Sequence, residues 1–334
     1  MKKQIFRILL SDLSEIENRK NHYMVQHFIT PLYYLYDFCV KNQIPDLKQI
    51  TLAEEKAFYE YLDTNMDAIS KNAPQVLYRA RKFLFLSDKK PDFTATCWFL
   101  EKFTLSDRKN PTRGIECFTF GDIAEDNRTY FQHYMKYLLV LSPKYSLQSL
   151  HEKYYGAKEF IRFIESRHTT LSELSYSDIE SFIEYKDQME VRPETYNRTL
   201  TMLSFFLTAL SVRENLLVPS FPFDYFYKKA AYLHHDRSVP EDTIDRIFTV
   251  LSDFPETLGL MYLTLYSTGL RINEVCSLRK DALFSDGSTN WLSIYQYKLR
   301  SEKQIPIPSE VSRLLKKHIA SDETGSIYIF PSCR

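Results

Sequence analysis

Glycine is scarce, with 7 in 334 residues beside 24 Tyr and 24 Phe. Tight β-turns need residues that tolerate positive φ, so a turn-rich all-β fold is excluded and packed helices with aromatic interiors are expected. An excess of charge of either sign is also missing, because 43 Lys and Arg balance 43 Asp and Glu. The balance gives no bulk electrostatic sign of a polyanionic partner, and any phosphate-facing surface must be local. The five cysteines (Cys39, Cys97, Cys117, Cys276 and Cys333) include no Cys-x-x-Cys pair and are odd in number. Reduced thiols in a cytoplasmic protein are expected, with neither a disulfide framework nor a zinc site. No apolar run approaches the ~18 residues that span a bilayer, and the opening MKKQIFRILLSDL turns acidic too early for a signal peptide.

Helical periodicity dominates the first 230 residues. Phe28, Leu32, Leu35, Phe38 and Cys39 mark a helix over 23–40, and further helices are expected over 52–62 and 75–86. Residues 87–120 carry Pro91, Pro111 and Gly114 among polar clusters and predict irregular structure with short strands. A second helical block begins at Tyr145, with Leu147, Leu150, Tyr154, Phe160, Ile161 and Ile164 on one face. The next helix has Ser175 or Ser177 as N-cap with Asp178 in its first turn, and Pro193 then opens a helix with Leu200, Leu203, Phe206, Leu207 and Leu210 inward. The two blocks share a frame. Phe38, Leu47, Ile50 and Phe58 match Phe163, Leu171, Leu174 and Phe182 in spacing, apart from a one-residue indel, so either residues 1–144 include a divergent copy of the second block or this is a frame that any two helix-loop-helix segments share.

The chemically informative stretch is LGLMYLTLYSTGLRINEVCSLRKDAL, residues 258–283. An apolar helix ends at Thr268, Gly269 supplies the positive φ of a helix stop, and Arg271 opens a short helix whose buried stripe is expected at Ile272, Val275 and Cys276. Glu274 lies one turn from Arg271. An arginine oriented by a carboxylate at a tight turn is prepared for a phosphate, because its planar fork donates two hydrogen bonds at once. After the Asp286-Gly287 turn, WLSIYQYK alternates as a strand and KQIPIP returns as its partner, which puts Lys298 at the tip of a hairpin. A last helix is expected from Ser309.

Thr268-Gly269-Leu270-Arg271-Ile272-Asn273-Glu274 followed by Leu278, Lys298 followed by Ile305-Pro306-Ile307, and Phe330-Pro331 together resemble the tyrosine recombinase, or phage integrase, family, including members from transposons. Residues 195–206, TYNRTLTMLSFF, resemble the helical core-binding domain of that family. The resemblance implies a mainly α fold. Helical N-terminal (1–144) and core-binding, SAM-like (145–232) domains would precede the first part of an α+β catalytic domain (238–334) with a small β-hairpin. It also implies site-specific recombination or integration through a 3′-phosphotyrosyl intermediate on double-stranded DNA, with self-association on the DNA, no small-molecule cofactor, no metal and no membrane. Arg271 would stabilise charge on the reacting phosphate and Lys298 would protonate the leaving 5′-oxygen. Glu274 would orient Arg271, and Thr195, Asn197 and Arg198 would face the DNA. Arg198 pairing with Glu194 is the plain alternative for that residue.

In the family a His-x-x-Arg box and the nucleophilic tyrosine follow the Phe-Pro, and residues 332–334 hold neither. A truncated form, inactive alone, is therefore expected. His234 to Arg237 spells the box before Arg271 instead of after it, and is read as coincidence. Two other readings stand beside recombination: a non-catalytic DNA-binding or regulatory derivative, and a helical protein-interaction scaffold.

Overall fold

The computed structural model describes residues 1–14, 25–66, 73–105, 108, 114–142, 144–230 and 238–331. The fold is mainly α, with two small antiparallel sheets. Residues 1–105 with 115–230 form one compact unit, and 106–114 with 231–334 form another. The His234 to Arg237 segment lies outside the described residues.

The first unit begins with α1 (Lys2–Ser14), α2 (Thr30–Lys41), α3 (Leu52–Asn65) and α4 (Gln75–Ser87). Helices α1, α3 and α4 all pack on α2, around the fully buried Leu35, Leu47, Phe58 and Leu77. The helix expected over 23–40 is helical throughout its described part, from 25 on, but its first turn is π-helical. Pro31 has no N–H to donate to the carbonyl of His27, so the α ladder cannot run through, and a π-helical turn (Val25–Ile29) precedes α2. Residues 23 and 24 of that expectation lie outside the described residues.

The stretch 87–120 contains the expected short strands, β1 (Cys97–Phe99) and β2 (Cys117–Thr119), paired antiparallel with Trp98 opposite Phe118. Trp98 is fully buried, its ring centroid 4.6 Å from that of Phe120 and 5.0 Å from that of Phe93. Next come α5 (Glu125–Lys136), α6 (Leu147–Ser166), α7 (Tyr176–Gln188) and α8 (Pro193–Glu214). Of the two cap candidates it is Ser175 that caps α7, in a capping box with Asp178, because its hydroxyl meets the Asp178 N–H. One hydrophobic cluster runs from Phe85 to Phe223, so the block beginning at Tyr145 shares its interior with the β1–β2 hairpin and α5.

The second unit contains α9 (Glu241–Thr249), α10 (Glu256–Thr268), α11 (Ile272–Cys276), β3 (Leu283–Ser285), β4 (Asn290–Gln296), β5 (Ser301–Ile307) and α12 (Ser309–Ser321). The sheet order is β3-β4-β5, so Pro306 lies on an edge strand, where a missing N–H is tolerated. Strand β3 was not foreseen. Its pairing depends on the Asp286 carboxylate, which accepts from Ser288 N (2.9 Å), Thr289 N (2.8 Å) and Trp291 Nε1 (2.8 Å) and so folds 283–285 back on β4. The stripe expected on α11 is corrected as well. Val275 is fully buried, but Ile272 is 51% exposed, because α11 ends at Cys276 and only one side of so short a turn meets the core. Leu278 just beyond it is buried instead, with Leu292, Leu315 and Ile329.

Among the described residues, no helix is long and apolar enough to cross a membrane, and no cluster of His, Cys, Asp or Glu could hold a metal ion.

Candidate functional site

Gly269 ends α10 with φ +62°, a conformation that side chains with a Cβ adopt only under strain, and the chain turns immediately into Arg271. Arg271 is the N-cap of α11, and Glu274 closes a capping box on it. Glu274 Oε2 accepts from the Arg271 backbone N–H at 2.8 Å, and Oε1 accepts from Arg271 Nη1 at 3.3 Å. One carboxylate therefore holds both ends of the arginine. The Glu274 side chain is only 15% exposed while that of Arg271 is 67% exposed, so the guanidinium is fixed from below and open above.

The hairpin brings a second group to this place. Gln296, the last residue of β4, donates from Nε2 to Glu274 Oε1 at 3.0 Å, so that oxygen accepts from both Arg271 and Gln296. The Gln296 carbonyl also accepts from Leu299 N (3.0 Å) and Arg300 N (2.7 Å), closing the turn that carries the exposed Lys298. Gln296 thus ties the turn bearing Lys298 to the helix start bearing Arg271. Sequence reading missed it, although a signal was present: Leu292 and Ile294 point into the core, and Gln296 continues that inward register with a polar side chain. A polar residue at an inward position needs a partner, and Glu274 is that partner.

The other predicted residues lie at the start of α8, in the first unit. Thr195 is exposed there. Asn197 is engaged within the protein: its Nδ2 donates to Lys228 O and its Oδ1 accepts from Lys228 N, both at 2.8 Å. Arg198 does not pair with Glu194. It reaches across to Glu152 on α6 at 3.4 Å, with its side chain 62% exposed. Together with Arg162 and Arg167 it lines an open groove of about 870 Å³, which Glu152 and Glu159 also border. Arg162 donates from Nε to Asp122 at 2.7 Å, and the Arg167 guanidinium lies 5.6 Å from the Phe163 ring. Arg162 and Arg167 were invisible to the motif search because a helical arginine acquires meaning only when folding gathers others beside it.

Residues 237–334 match the model of the phage integrase family. Over 237 residues, 67% of this chain, the sequence is 26% identical to transposase B from transposon PsiTn554 of Staphylococcus aureus. Transposase B from transposon Tn554 of S. aureus strain Mu50 is likewise 26% identical over 235 residues. Each alignment covers 37% of the relative, so the chain spans little more than a third of the length of the transposases it matches. Among solved structures, a lambda integrase dimer bound to a core site is 18% identical, covering 61% of this chain and 56% of that one at a TM-score of 0.43. XerH site-specific recombinase bound to its palindromic difH substrate is 11% identical, covering 90% and 71% at a TM-score of 0.38.

Proposed function

Because residues 237–334 carry a domain of the phage integrase family, the tyrosine recombinases of mobile elements, we propose that this chain acts in site-specific recombination of double-stranded DNA. The observation that carries the proposal is the Arg271–Glu274–Gln296 arrangement. A guanidinium is clamped at its base and open at its head, and it is tied to the turn of an exposed lysine. Arg271 would donate to the non-bridging oxygens of a backbone phosphate, where charge grows during strand transfer. Lys298 would deliver a proton to the departing 5′-oxygen. Glu274 acts through Arg271 as a positioning residue.

The nucleophile of such a reaction is assigned to no residue of 1–334. No His-x-x-Arg follows Phe330-Pro331, and no tyrosine follows Tyr328, which bridges to Arg279. The property assigned to residues 1–334 is duplex binding. The divisions at 1–144, 145–232 and 238–334 belong to the same proposal, with the groove of Arg162, Arg167 and Arg198 as the duplex-facing part of the middle block. Thr195 would border the DNA, and Asn197 would act by holding the 228 segment in place. Self-association would occur on the DNA.

The test is an electrophoretic shift of a 30-base-pair duplex (a length of about three helical turns) at low salt. Affinity should fall steeply with added salt, as it does when cations displace counterions from phosphates. Absence of any shift at low salt refutes the reading. A covalent adduct with a nicked suicide substrate would show that a nucleophile lies within residues 1–334.

A further inference from the structure

The sequence frame shared by the two helical blocks becomes, in the folded unit, a step-by-step correspondence. Helices α1 and α4 pack on α2 and on each other, with α3 on α2, and α5 and α8 pack on α6 and on each other, with α7 on α6. Helices α2 and α6 end alike. Gln43 (φ +56°) and His168 (φ +59°) take the left-handed conformation, and the following residues close six-residue loops, Ile44 N to Cys39 O at 2.9 Å and Thr169 N to Ile164 O at 3.0 Å. A 3₁₀ turn follows in both, Leu47–Gln49 and Leu171–Glu173. Capping boxes then start the third helices, Thr51 with Glu54 and Ser175 with Asp178. Inside, the Phe38–Phe58 and Phe163–Phe182 ring centroids are each 5.3 Å apart, and Phe38–Tyr61 and Phe163–Tyr185 are 5.6 and 5.2 Å apart. Chance similarity of two helix-turn-helix segments does not explain agreement at the helix stop, the turn, the cap and the ring packing together.

The correspondence identifies which residues of the first block occupy the groove positions of the second. Arg162 is replaced by Asp37 and Arg167 by Asn42. The Phe28–Arg79 stack (4.3 Å) stands where Lys153 meets Met202 (3.9 Å), which aligns α4 with α8 and puts Gln75 in the place of Arg198. Lys41 pairs with Asp37 at 2.8 Å, as Arg162 does with Asp122 and Arg198 with Glu152, and Asp37 also accepts from the Tyr61 hydroxyl, so the two faces differ in the number of cations and not in whether these are paired. Tyr33 stands where Lys158 does and is 62% exposed.

We infer that helices α1 to α4 are a second copy of the module built by α5 to α8 and that only the later copy holds the DNA backbone. In the earlier one the matching arginines are gone, leaving a face on which Asp37 pairs with Lys41 and Tyr33 is exposed. Three arginines at one face are replaced by an acid and two amides, and that loss weakens the electrostatic attraction to a duplex. The buried frame is kept because it makes the bundle fold.

The inference rests on the DNA reading, and the experiment separates the two. Residues 1–334 are titrated with a mixed-sequence duplex across a salt series as wild type, as Arg167→Ala with Arg198→Ala, and as Lys41→Ala with Tyr33→Ala, each checked by its melting curve. All four side chains are exposed, so the fold should survive. The pair in the later copy should weaken binding by about tenfold or more and lower the log–log salt slope by about 2, since each phosphate contact contributes about 0.9. The pair in the earlier copy should change affinity by less than about twofold and leave the slope unchanged. Equal weakening by both pairs overturns the inference while leaving the DNA reading intact, whereas no binding by the wild type removes both.

Discussion

Gln296 on β4 donates to the same Glu274 oxygen that holds the Arg271 guanidinium, so strand and helix share one carboxylate. Gln296→Leu would leave that oxygen with one donor. We expect a loss of about 1 kcal/mol in denaturant unfolding of the second unit, the ordinary worth of such a bond. The Arg271 guanidinium N–H signals in ¹⁵N NMR should broaden as the group loosens, while those of Arg246, on another helix, stay unchanged. Unmoved Arg271 signals would show that Gln296 does not position it.

Gly269 stands at φ +62° with no atom within 4 Å of a would-be Cβ. Replacement by Ala therefore meets no clash, and its cost is the left-handed backbone alone, about 1–2 kcal/mol. Asn tolerates that conformation better, so Gly269→Asn should lose less than Gly269→Ala in urea unfolding. Equal losses for the two would mean that something other than φ sets the cost.

Lys153 is 8% exposed, with its ammonium 3.6 Å from the Phe205 ring centroid and 4.8 Å from that of Tyr145. Burial pushes its pKa down, with Lys144 adding to the effect. The aromatic faces offset only part of the cost of removing the charge from water. Lys153→Met keeps the length without the charge, and its thermal midpoint should equal or exceed that of the wild type. A drop worth more than about 1 kcal/mol would show that the ring contacts outweigh desolvation.

Asp322 meets Lys280 at 2.5 Å, and that bond, followed by the one from Thr324, holds its carboxyl down at about 2. An unfolded aspartate titrates near ~3.9, so the folded state binds this proton more weakly than the unfolded chain does. The stabilisation is therefore full above about pH 4 and disappears as the pH falls toward 2. Unfolding of wild type and Asp322→Asn across this range should converge at the acid end. A constant difference between them would assign the acid sensitivity elsewhere.

The helices after Thr51, Ser175 and Pro193 were legible because capping side chains and period-3.6 apolar residues act within a few positions of one another. The turn at Gly269, the helix opening at Arg271 and the hairpin around Lys298 were legible for the same reason, since each is local chemistry. Long-range pairings were not. Arg198 finds Glu152 on another helix instead of Glu194 on its own, Gln296 finds Glu274 22 positions away, and β3 forms only because Asp286 gathers donors around its turn. The composition established that any cationic face must be local. The tertiary structure decided where, because three arginines on α6, its C-terminal end and α8 line one groove only once those helices pack.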